Sequence, residues 1–333
     1  MYNNIDFNNK TILITGGAGF IGSNLAFYFQ ENFPNSKVIV FDCFRSDEIF
    51  PNGNLKSFGH YKNLIGFKGD IICGNINNQA DLALLSDYKF DYVFHQAAIS
   101  DTRVYDQELV MQTNVNSFYD LLDIAKRDRS VMVYASSAAT YGNLPSPQTV
   151  GKESPENPYG FSKYIMDQIA NRYSKENPDL TIVGLRFFNV YGPREYYKAN
   201  TSSMVIQLGH QIVDGNIPRL FKGSDQIFRD FIYIDDVLQA SIKACNPKQN
   251  GTYNVGTGIS RSFQDIADIL QKELGTDLGT EYFQNPYDGY QMHTQANIST
   301  SKDNLGFEPK ITLEQGIKSY IPEIKRLHGT EII

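Results

Sequence analysis

A glycine-rich turn between a strand pattern and a helix pattern is the feature that most constrains the fold of this 333-residue chain. The segment TGGAGFIG at 15–22 directly follows an apolar run, and the apolar residues of 23–29 recur at helical spacing. Gly17, Gly19 and Gly22 satisfy the form G-x-G-x-x-G, whose glycines permit a tight turn and close approach of a pyrophosphate. The helix N-terminus then faces the phosphates. This order of elements predicts a dinucleotide-binding site rather than a purely structural turn.

An acidic residue follows the second strand pattern. Asp42 comes after the run Lys37-Val-Ile-Val-Phe41 and lies 20 residues after Gly22, near the interval expected for the carboxylate that binds an adenosine ribose. Strand patterns cover 11–15, 37–41, 91–95, 130–135 and 180–187, and helical patterns cover 20–32, 104–127 and 157–177. Their alternation predicts an α/β fold with a Rossmann-type, doubly wound parallel sheet.

The chain divides into two predicted lobes. The stretch 44–63 is rich in Pro, Gly, Asn and Ser, which predicts a long functional loop beside the ribose. From residue 189, short apolar pieces and turn residues indicate a smaller mixed α/β lobe. We assign 1–188, with a return segment near 229–257, to the dinucleotide-binding domain, and 189–228 and 258–333 to a substrate-binding lobe. The substrate is expected in the cleft between the lobes.

Charge and cysteine content exclude several classes of partner. The net charge of -7, without a basic cluster, argues against nucleic acid. Cys43, Cys73 and Cys245 lack metal-ligand spacing, so we expect free thiols, no metal and a reducing compartment. The first residues lack a signal-sequence pattern, and no apolar run approaches the roughly 18 residues that span a bilayer. A cytoplasmic enzyme without membrane attachment is expected.

A tyrosine and a lysine lie four residues apart in Tyr159-Gly-Phe-Ser-Lys163, within the last of these helical patterns. Residues at i and i+4 share one face of a helix. An ammonium near a phenol favours the phenolate and lowers its pKa, so the phenol can take a proton from a sugar hydroxyl. Tyr-x-x-x-Lys also occurs by chance on surface helices. The glycine motif and Asp42 favour the catalytic interpretation.

Motifs along essentially the whole chain resemble the extended short-chain dehydrogenase/reductases that act on nucleotide sugars. These motifs are TGGAGFIG at 15–22, HQAA at 95–98, Asn114, YASSAATYG at 134–142, Tyr159 with Lys163, FNVYGPR at 188–194 and RDFIYIDDV at 229–237. The resemblance implies a Rossmann-type fold, a tightly bound nicotinamide cofactor and epimerase chemistry.

Within that family the chain is most similar to the ADP-L-glycero-D-manno-heptose 6-epimerases. This narrower resemblance rests on YASSAATYG, on FNVYGPRE followed by Lys198, on LFKGS at 220–224 and on YQMHTQA at 290–296. It implies inversion of C6 of ADP-D-glycero-D-manno-heptose, through transient oxidation to a ketone and re-reduction, for the inner-core heptose of lipopolysaccharide. It also implies a homo-oligomer, with pentamers known among these enzymes.

The resemblance assigns catalytic roles to four residues. Tyr159 is an acid/base, Ser137 hydrogen-bonds the reacting sugar oxygen, and Lys163 tunes the phenol and binds the nicotinamide ribose. Lys198 matches a second acid/base that acts from the opposite face of the sugar. Structural alternatives remain open: Ser137 can cap a strand end and Lys198 can be a solvated lysine. Asn114, which helps to position the catalytic lysine in the family, can instead face solvent.

The cofactor-binding residues implied by the resemblance lie at strand ends and in the glycine turn. They are Gly16, Gly19, Phe20, Ile21, Gly22, Asp42, Cys43, Arg45, Asn75, Ile76, Gln96, Ala97, Ala98, Ser100, Asn114, Tyr159, Lys163 and Val190. Asp42 favours NAD, because a carboxylate repels a 2′-phosphate. Arg45 can neutralise that phosphate, and the heptose epimerases generally carry NADP, so we expect NADP with NAD as the close alternative. Adenine is expected near Asn75-Ile76, with Asp70-Ile71 as a second candidate.

The substrate contacts implied by the resemblance come from both lobes. They are Ser100, Ser137, Asn189, Lys198, Asn200, Gln207, Phe221, Lys222, Gly223, Ser224, Arg229 and Tyr290. Arg229 would bind the diphosphate, since a planar guanidinium matches phosphate oxygens. An ion pair with Asp230, Asp235 or Asp236 is the alternative. Asn200 and Gln207 stand where Ser and His are expected, which leaves the sugar and the nucleotide open.

Other functions of the same fold remain to be distinguished. A 4,6-dehydratase needs an acid and a base after the catalytic Ser or Thr, whereas Ala138-Ala139 follow Ser137 here. A 4-epimerase or 4-dehydrogenase of another nucleotide sugar is the main alternative, and neither requires Lys198. A non-catalytic, dinucleotide-binding regulator typically lacks the tyrosine or the lysine, and this chain has both.

Overall fold

The structure, a computed structural model, describes residue 2 and residues 5–285 and 291–330. Its strands are β1 (Thr11–Thr15), β2 (Lys37–Asp42), β3 (Asp70–Cys73), β4 (Tyr92–His95), β5 (Val131–Ser137), β6 (Ile182–Phe187), β7 (Asn189–Tyr191), β8 (Arg219–Phe221), β9 (Phe228–Tyr233), β10 (Gly251–Val255), β11 (Ser260–Ser262) and β12 (Glu281–Phe283). Its α-helices are α1 (Phe20–Asn32), α2 (Gln79–Ala83), α3 (Gln107–Met111), α4 (Ser117–Asp128), α5 (Pro158–Glu176), α6 (Met204–Val213), α7 (Ile234–Lys243), α8 (Phe263–Leu274), α9 (Ser299–Leu305) and α10 (Leu313–Leu327). Turns of other helical types cover Tyr61–Leu64, Gln112–Asn116, Ala138–Tyr141, Tyr196–Thr201 and Ser224–Gln226.

Seven parallel strands form the central sheet, in the order β3-β2-β1-β4-β5-β6-β10. The strand order reverses between β1 and β4, and the crevice outside the carboxyl ends of such strands is where ligands bind in open α/β sheets. The predicted Rossmann-type, doubly wound sheet is confirmed. Each of the five strand patterns forms a strand of this sheet, and β3 and β10 extend it at its two edges.

The central strands are apolar on both sides because helices cover both faces of the sheet. Ile12 and Ile14 of β1 lie in one buried core together with Phe29 of α1. Leu13, between them, points to the other face and lies in a second core with Phe118 of α4. Alternate residues of one strand therefore hold the two helical layers in place, and the ends of the strands are left free for the site.

The helix predicted over 104–127 is divided in the structure. The residues Gln112–Asn116 form a wider π-type turn between α3 and α4. Asn114 in this turn is completely buried, and its amide donates to the Ile99 carbonyl and to the Ser162 hydroxyl, each at 2.9 Å. Such wide turns are common at functional sites. The alternative in which Asn114 faces solvent is wrong.

A smaller mixed lobe follows the sixth strand. Strands β7, β9 and β11 form a three-stranded sheet with parallel and antiparallel pairs, and β8 pairs with β12. Helices α6, α8 and α10 pack together in this lobe. The return segment predicted near 229–257 is divided: β9 belongs to the small sheet, α7 packs on α1, and β10 joins the central sheet. The exact domain limits stay a prediction.

Candidate functional site

A cavity of about 370 Å³ lies at the carboxyl ends of the central strands, next to the start of α1. It brings together residues predicted from widely separated segments. The predicted residues that line it are Gly16, Gly19, Phe20, Ile21, Gly22, Asp42, Cys43, Asn75, Ile76, Gln96, Ala97, Ala98, Ser100, Ser137, Tyr159, Lys163, Val190 and Lys198. The four candidate catalytic residues therefore share one cavity with most of the candidate cofactor-binding residues.

The glycine turn packs tightly against the end of β4. Gly16 has a φ of +67°, and a Cβ at this position would lie 2.6 Å from the Ala97 nitrogen. A Cβ on Gly22 would lie 2.2 Å from the Gly16 carbonyl oxygen. No side chain caps the first N–H groups of α1, and the first residues of this helix line the cavity. Unpaired N–H groups at such a helix start fit a phosphate group.

Asp42 connects the glycine turn to the long loop. Its carboxylate is 5 % exposed and accepts hydrogen bonds from the Ala18 N–H at 2.9 Å and from the Phe44 N–H at 2.8 Å. Burial raises the pKa of this carboxyl, and the two backbone hydrogen bonds oppose that shift. A Cβ on Gly59 would lie 2.1 Å from Asp42 Oδ1. The loop therefore passes directly over the residue expected to bind the ribose.

Arg45 does not line the cavity, contrary to its predicted place beside the cofactor. Its guanidinium donates to the Tyr197 carbonyl. Lys56, Ser57 and Phe58 of the same loop line the cavity instead. Sequence reasoning missed them because a loop without regular periodicity does not indicate which of its residues turn inward.

The segment after β3 supplies the wall where adenine is expected. Asn75 and Ile76 line the cavity, whereas Asp70 and Ile71 lie within β3 and outside the cavity wall. The Asp70 carboxylate lies 3.5 Å from the Lys37 ammonium and accepts a hydrogen bond from the Tyr88 hydroxyl. The geometry thus favours the first of the two predicted adenine positions.

Tyr159 and Lys163 lie on the first turns of α5. The Asn157 side chain caps this helix by accepting a hydrogen bond from the Gly160 N–H at 2.8 Å. The Lys163 ammonium lies 6.0 Å from the centre of the Tyr159 ring and donates to the Ala135 carbonyl at 2.7 Å. The pair therefore faces the end of β5 and the cavity, as expected for residues one helical turn apart.

Ser137 combines both roles considered for it. Its hydroxyl accepts the Ala139 N–H at 3.1 Å at the end of β5, and hydrogen bonding by the same hydroxyl lowers the pKa of the Tyr159 phenol. A residue that caps the strand end in this way is held rigidly beside the phenol. The two interpretations of Ser137 are therefore compatible.

Burial determines the protonation of these groups. Burial raises the pKa of the Tyr159 phenol, and the hydrogen bond from Ser137 only partly opposes it. The Lys163 ammonium, 6.0 Å from the centre of the ring, is not among the causes of this shift, so its expected lowering of the phenol pKa stays a prediction. Burial lowers the pKa of Lys163 to about 8, and the nearby Asp167 carboxylate works against this shift. Burial, with a contribution from the Lys163 charge, lowers the pKa of His95 to about 3, so this imidazole is neutral.

A buried ionic network supports the helix that carries Lys163. The Asp167 carboxylate accepts hydrogen bonds from Tyr134 at 2.8 Å, from Ser136 at 2.9 Å and from the Arg186 guanidinium at 2.8 Å. Arg186 also pairs with Glu153 at 2.6 Å. Because each buried charge has a partner of opposite sign, the network joins α5 to β5 and β6 directly behind the candidate catalytic residues.

Lys198 reaches the same cavity from the helical turn Tyr196–Thr201. Its ammonium lies 5.7 Å from the centre of the Phe20 ring. Burial lowers the pKa of Lys198, while the carboxylates of Glu195 and Asp101 favour its charged form. The alternative of a solvated surface lysine is wrong, because the side chain is partly buried and lines the cavity.

The other predicted substrate residues of the smaller lobe that the structure describes lie outside the cavity wall. Asn189 and Asn200 are exposed, and the Gln207 side chain donates to the Ser202 carbonyl at 2.7 Å. Within the predicted loop 221–224, Ser224 is buried. Tyr290 lies outside the described residues. The cavity thus contains most of the residues predicted to bind the cofactor. Most of the described residues predicted to bind the substrate from the smaller lobe lie outside its wall.

Arg229 is buried in the smaller lobe. Its guanidinium donates to the Phe228 carbonyl at 2.8 Å and to the Gln291 carbonyl at 2.5 Å, and lies 5.6 Å from the centre of the Phe263 ring. The neighbouring Asp230 carboxylate accepts N–H groups that include that of Thr257, at 2.6 Å. Backbone and aromatic partners hold this guanidinium, and it does not line the cavity.

The described part of the chain has neither a cluster of metal ligands nor a helix that could span a membrane. Residues 2, 5–285 and 291–330 contain no group of three or more His, Cys, Asp or Glu side chains placed to hold a metal ion. Within the same ranges, none of the helices combines the length and the hydrophobicity that crossing a bilayer demands.

Comparisons with known proteins agree with this geometry. The family model described as the NAD dependent epimerase/dehydratase family matches residues 12–256. The crystal structure of an ADP-L-glycero-D-manno-heptose-6-epimerase from Helicobacter pylori is 50% identical and superposes with a TM-score of 0.90, covering 98% of this chain and 99% of that one. A protein of the same name from Brachyspira hyodysenteriae is 34% identical over 325 residues, which are 96% of this chain and 99% of that protein.

A more distant structure shows how far the fold extends among nucleotide-sugar enzymes. The UDP-glucose 4-epimerase of Thermotoga maritima, solved with UDP-glucose, is 27% identical, with a TM-score of 0.84 over 95% of this chain and 99% of that chain. The resemblance seen in the sequence motifs is thereby confirmed. From its motifs, its sheet and these matches, the chain belongs to the NAD dependent epimerase/dehydratase family.

Proposed function

We propose that this protein inverts C6 of ADP-D-glycero-D-manno-heptose to give the L-glycero epimer, which would supply the inner-core heptose of lipopolysaccharide. The observation that carries the proposal is the position of Lys198, which lines the same cavity as Tyr159 and Ser137 but comes from a different element. Two acid/base groups on separate elements suit a reaction that handles the sugar oxygen in two orientations. The 50% identity to the Helicobacter pylori heptose epimerase supports the choice of sugar.

The cavity fits a nicotinamide dinucleotide, since the uncapped start of α1 suits phosphates and Asp42 lies where a ribose is expected. When bound, the nicotinamide supplies a hydride acceptor that returns the same hydride, so the net redox change is zero. Tyr159 takes the proton of the C6 hydroxyl, and Ser137 holds that oxygen. Lys198 gives a proton to the sugar oxygen after the ketone has rotated to its second orientation. Lys163 binds the ribose and holds its charge beside the phenol.

The direct test is proton NMR of ADP-D-glycero-D-manno-heptose incubated with the purified protein and no added reductant. An equilibrium mixture of the two C6 epimers is the expected result. Lys198→Met should reduce the rate at least ~100-fold, because one of the two proton-transfer groups is lost. Lys248→Met, at an exposed lysine away from the cavity, is the matched control. An unchanged sugar with the wild-type protein would contradict the heptose assignment.

A 4-epimerase of another nucleotide sugar is the second candidate. The similarity of this chain to the Thermotoga maritima UDP-glucose 4-epimerase is the observation that favours it. Such an enzyme inverts C4 and has no need of Lys198. Turnover of a UDP- or GDP-linked hexose by the Lys198→Met variant at the wild-type rate would support this candidate over the heptose epimerase.

We propose NADP as the preferred cofactor, with NAD as the alternative indicated by the family description. Support for NADP comes from Lys56, which lines the cavity together with Asp42 and Cys43. Its ammonium pairs with the Glu48 carboxylate at 2.9 Å and would exchange this partner for a 2′-phosphate. Lys56→Met is expected to weaken NADPH binding about tenfold and to leave NADH binding unchanged. Arg45→Met is the matched control, and fluorescence titration of each reduced cofactor measures the affinities. A larger loss of NADPH affinity in Arg45→Met than in Lys56→Met would instead support Arg45 as the residue that neutralises the 2′-phosphate.

We propose in addition that the protein is a cytoplasmic homo-oligomer. The thiols of Cys43, Cys73 and Cys245 are free, which suits a reducing compartment. Fractionation of the producing cell tests the compartment, and recovery in the membrane or extracellular fraction would contradict it.

A further inference from the structure

One buried carboxylate accepts hydrogen bonds from both ends of the loop that carries Lys198. This Lys198 loop consists of residues 192–203. Glu195 is completely buried, and its Oε1 accepts a hydrogen bond from the Gly192 N–H at 3.1 Å. The same carboxylate accepts the Ser203 N–H at 2.7 Å and the Ser203 hydroxyl at 2.8 Å. These three hydrogen bonds join the first and the last residue of the loop.

The backbone between these ends is strained on both sides of Lys198. Arg194 has a φ of +75°, and Ala199 has a φ of +51° with a ψ of -127°. A left-handed backbone is unfavourable for residues with a Cβ, and it persists where the surroundings impose it. The Lys198 N–H donates to the Glu195 carbonyl at 2.9 Å, and the Ser202 hydroxyl donates to the Ala199 carbonyl at 2.8 Å. The loop is therefore held in a conformation that it would not adopt alone.

Glu195 does not reach the substrate cavity itself. Lys198 lines the cavity and Glu195 does not, and both carboxylate oxygens of Glu195 already accept hydrogen bonds from the loop. An apolar side chain in its place would leave the buried N–H groups of Gly192 and Ser203 without their acceptor. Any effect of Glu195 on the chemistry must therefore pass through Lys198, either through its position or through the charged form that the carboxylate favours.

We propose that Glu195 is a positioning residue for the reaction, which holds the strained Lys198 loop closed and thereby keeps the Lys198 amine within reach of the sugar oxygen. The inference rests on the proposed function, in which Lys198 is the second acid/base. A misplacement of ~1 Å costs up to ~100-fold in rate. The Glu195 carboxylate therefore contributes to kcat, and its contribution goes beyond the stability of the fold.

The test compares Glu195→Gln with Asp236→Asn in the cofactor-loaded enzyme. Gln keeps the size of the side chain but turns an NH₂ group towards the loop donors. Asp236 is also a buried carboxylate that accepts backbone N–H groups, those of Lys310 and Ile311, but it does not line the cavity. We expect kcat with ADP-heptose to fall ~10- to ~100-fold in Glu195→Gln. Asp236→Asn should lower Tm and keep the wild-type kcat.

Ligand binding separates positioning from general damage to the cavity. ADP-linked D-mannose lacks the C6 stereocentre, so calorimetry with it reports binding without epimerisation. A positioning role predicts a Kd within about twofold of wild type in Glu195→Gln, with the loss confined to kcat and present at every pH. Loss of the carboxylate charge alone would instead move the pH profile of kcat to lower pH. If Glu195→Gln does not fold, Ser203→Ala removes one of the three donors, and a smaller loss of kcat is expected. Wild-type kcat in a folded variant, or a loss found only in Kd, would overturn the inference.

Lys198→Met separates this inference from the proposed function. If Lys198→Met keeps the wild-type rate, the second acid/base is wrong, whatever Glu195 does. If Lys198→Met is inactive while folded Glu195→Gln is fully active, the proposed function stands and only the positioning role of Glu195 is overturned.

Discussion

At the scale of single residues, Tyr159 gives the most direct prediction. Tyr159→Phe removes the phenol that exchanges the proton, so we expect turnover to fall ~10²- to ~10⁴-fold while the cofactor stays bound. NMR of the sugar measures turnover, and the absorbance of the purified protein measures bound nicotinamide. Tyr164→Phe, on the same helix but outside the cavity wall, is the control. Wild-type turnover in Tyr159→Phe would show that another group is the base.

The charge of Lys163 predicts an alkaline limit to activity. Burial lowers the pKa of Lys163 to about 8, so the ammonium is present below that pH and is lost as the pH rises through it. The Asp167 carboxylate favours the ammonium, whereas the neighbouring His95 is neutral. Activity should fall above about pH 8 in the wild type, and Asp167→Asn should move this limit to lower pH.

The control for this pH profile is Tyr134→Phe, which removes one neutral donor to Asp167 and leaves its charge in place. We expect it to lower Tm without moving the alkaline limit. An unmoved limit in folded Asp167→Asn would contradict the electrostatic role of Asp167.

The strained backbone at Ala199 predicts an unusual gain from glycine. Ala199→Gly removes the Cβ at a φ of +51°, so we expect a stabilisation of about 1 kcal/mol and a rise in Tm of about 2 °C. Ala240→Gly, within α7 and fully buried, should instead destabilise by about 1 kcal/mol. Calorimetry of both variants provides the measurement. Equal destabilisation would mean that the backbone at Ala199 carries no strain.

At the scale of elements, the long loop over the cavity has two of its anchors near its middle, at Asn52 with Asn54 and at Phe50. The Asp101 carboxylate accepts hydrogen bonds from the side chains of Asn52 at 3.2 Å and Asn54 at 2.5 Å. Phe50 is buried in a small separate core with Val110 and its neighbours. The loop residues beyond these anchors line the cavity. Opening of the loop therefore requires the loss of a hydrogen-bonded group and of an apolar contact together.

This anchoring predicts how strongly the cofactor is retained. Phe50→Ala removes the aromatic anchor, so the loop should open more often and release the cofactor at least ~10-fold faster. Release is followed by the change in nicotinamide fluorescence after dilution into excess unlabelled competitor. Ile65→Ala, at an exposed apolar residue, is the control. Unchanged release from Phe50→Ala would show that the loop does not limit the exit of the cofactor.

Regular elements near the site could be predicted closely from the sequence. The pattern over 157–177 forms α5, Pro158–Glu176, because Asn157 and Pro158 are a recognisable helix start. The pattern over 104–127 did not indicate the interruption at Gln112–Asn116. The hydrogen bonds of Asn114 to Ile99 and Ser162 accompany that wide turn, and tertiary partners of this kind cannot be read from local periodicity.

At the scale of the whole molecule, the motif residues meet because parallel strands bring their carboxyl ends to one edge of the sheet. This explains why the candidate catalytic residues were found together. Glu195 and Lys56 were not predicted, since their roles depend on how two irregular loops fold. The burial that raises the pKa of Tyr159 was also not predicted, because burial cannot be read from the spacing of two residues alone.

The predicted assembly can be tested by mass. The resemblance to heptose epimerases leads us to expect a homo-oligomer, with a pentamer as the specific hypothesis. Light scattering should then give a mass close to five times the 37.7-kDa chain mass. A concentration series distinguishes a stable assembly from a weak one. A mass of one chain at all concentrations would contradict the expectation of an oligomer.

The order of strands in the central sheet has a consequence for synthesis on the ribosome. Strand β1 lies in the interior of the sheet and most later strands are added outward, but β10 pairs with β6 only after much of the smaller lobe has been made. Until then the growing chain presents β6 as an open edge, which invites pairing with other chains. The two lobes are interleaved in the order of translation, so neither can be completed before the other has begun to emerge.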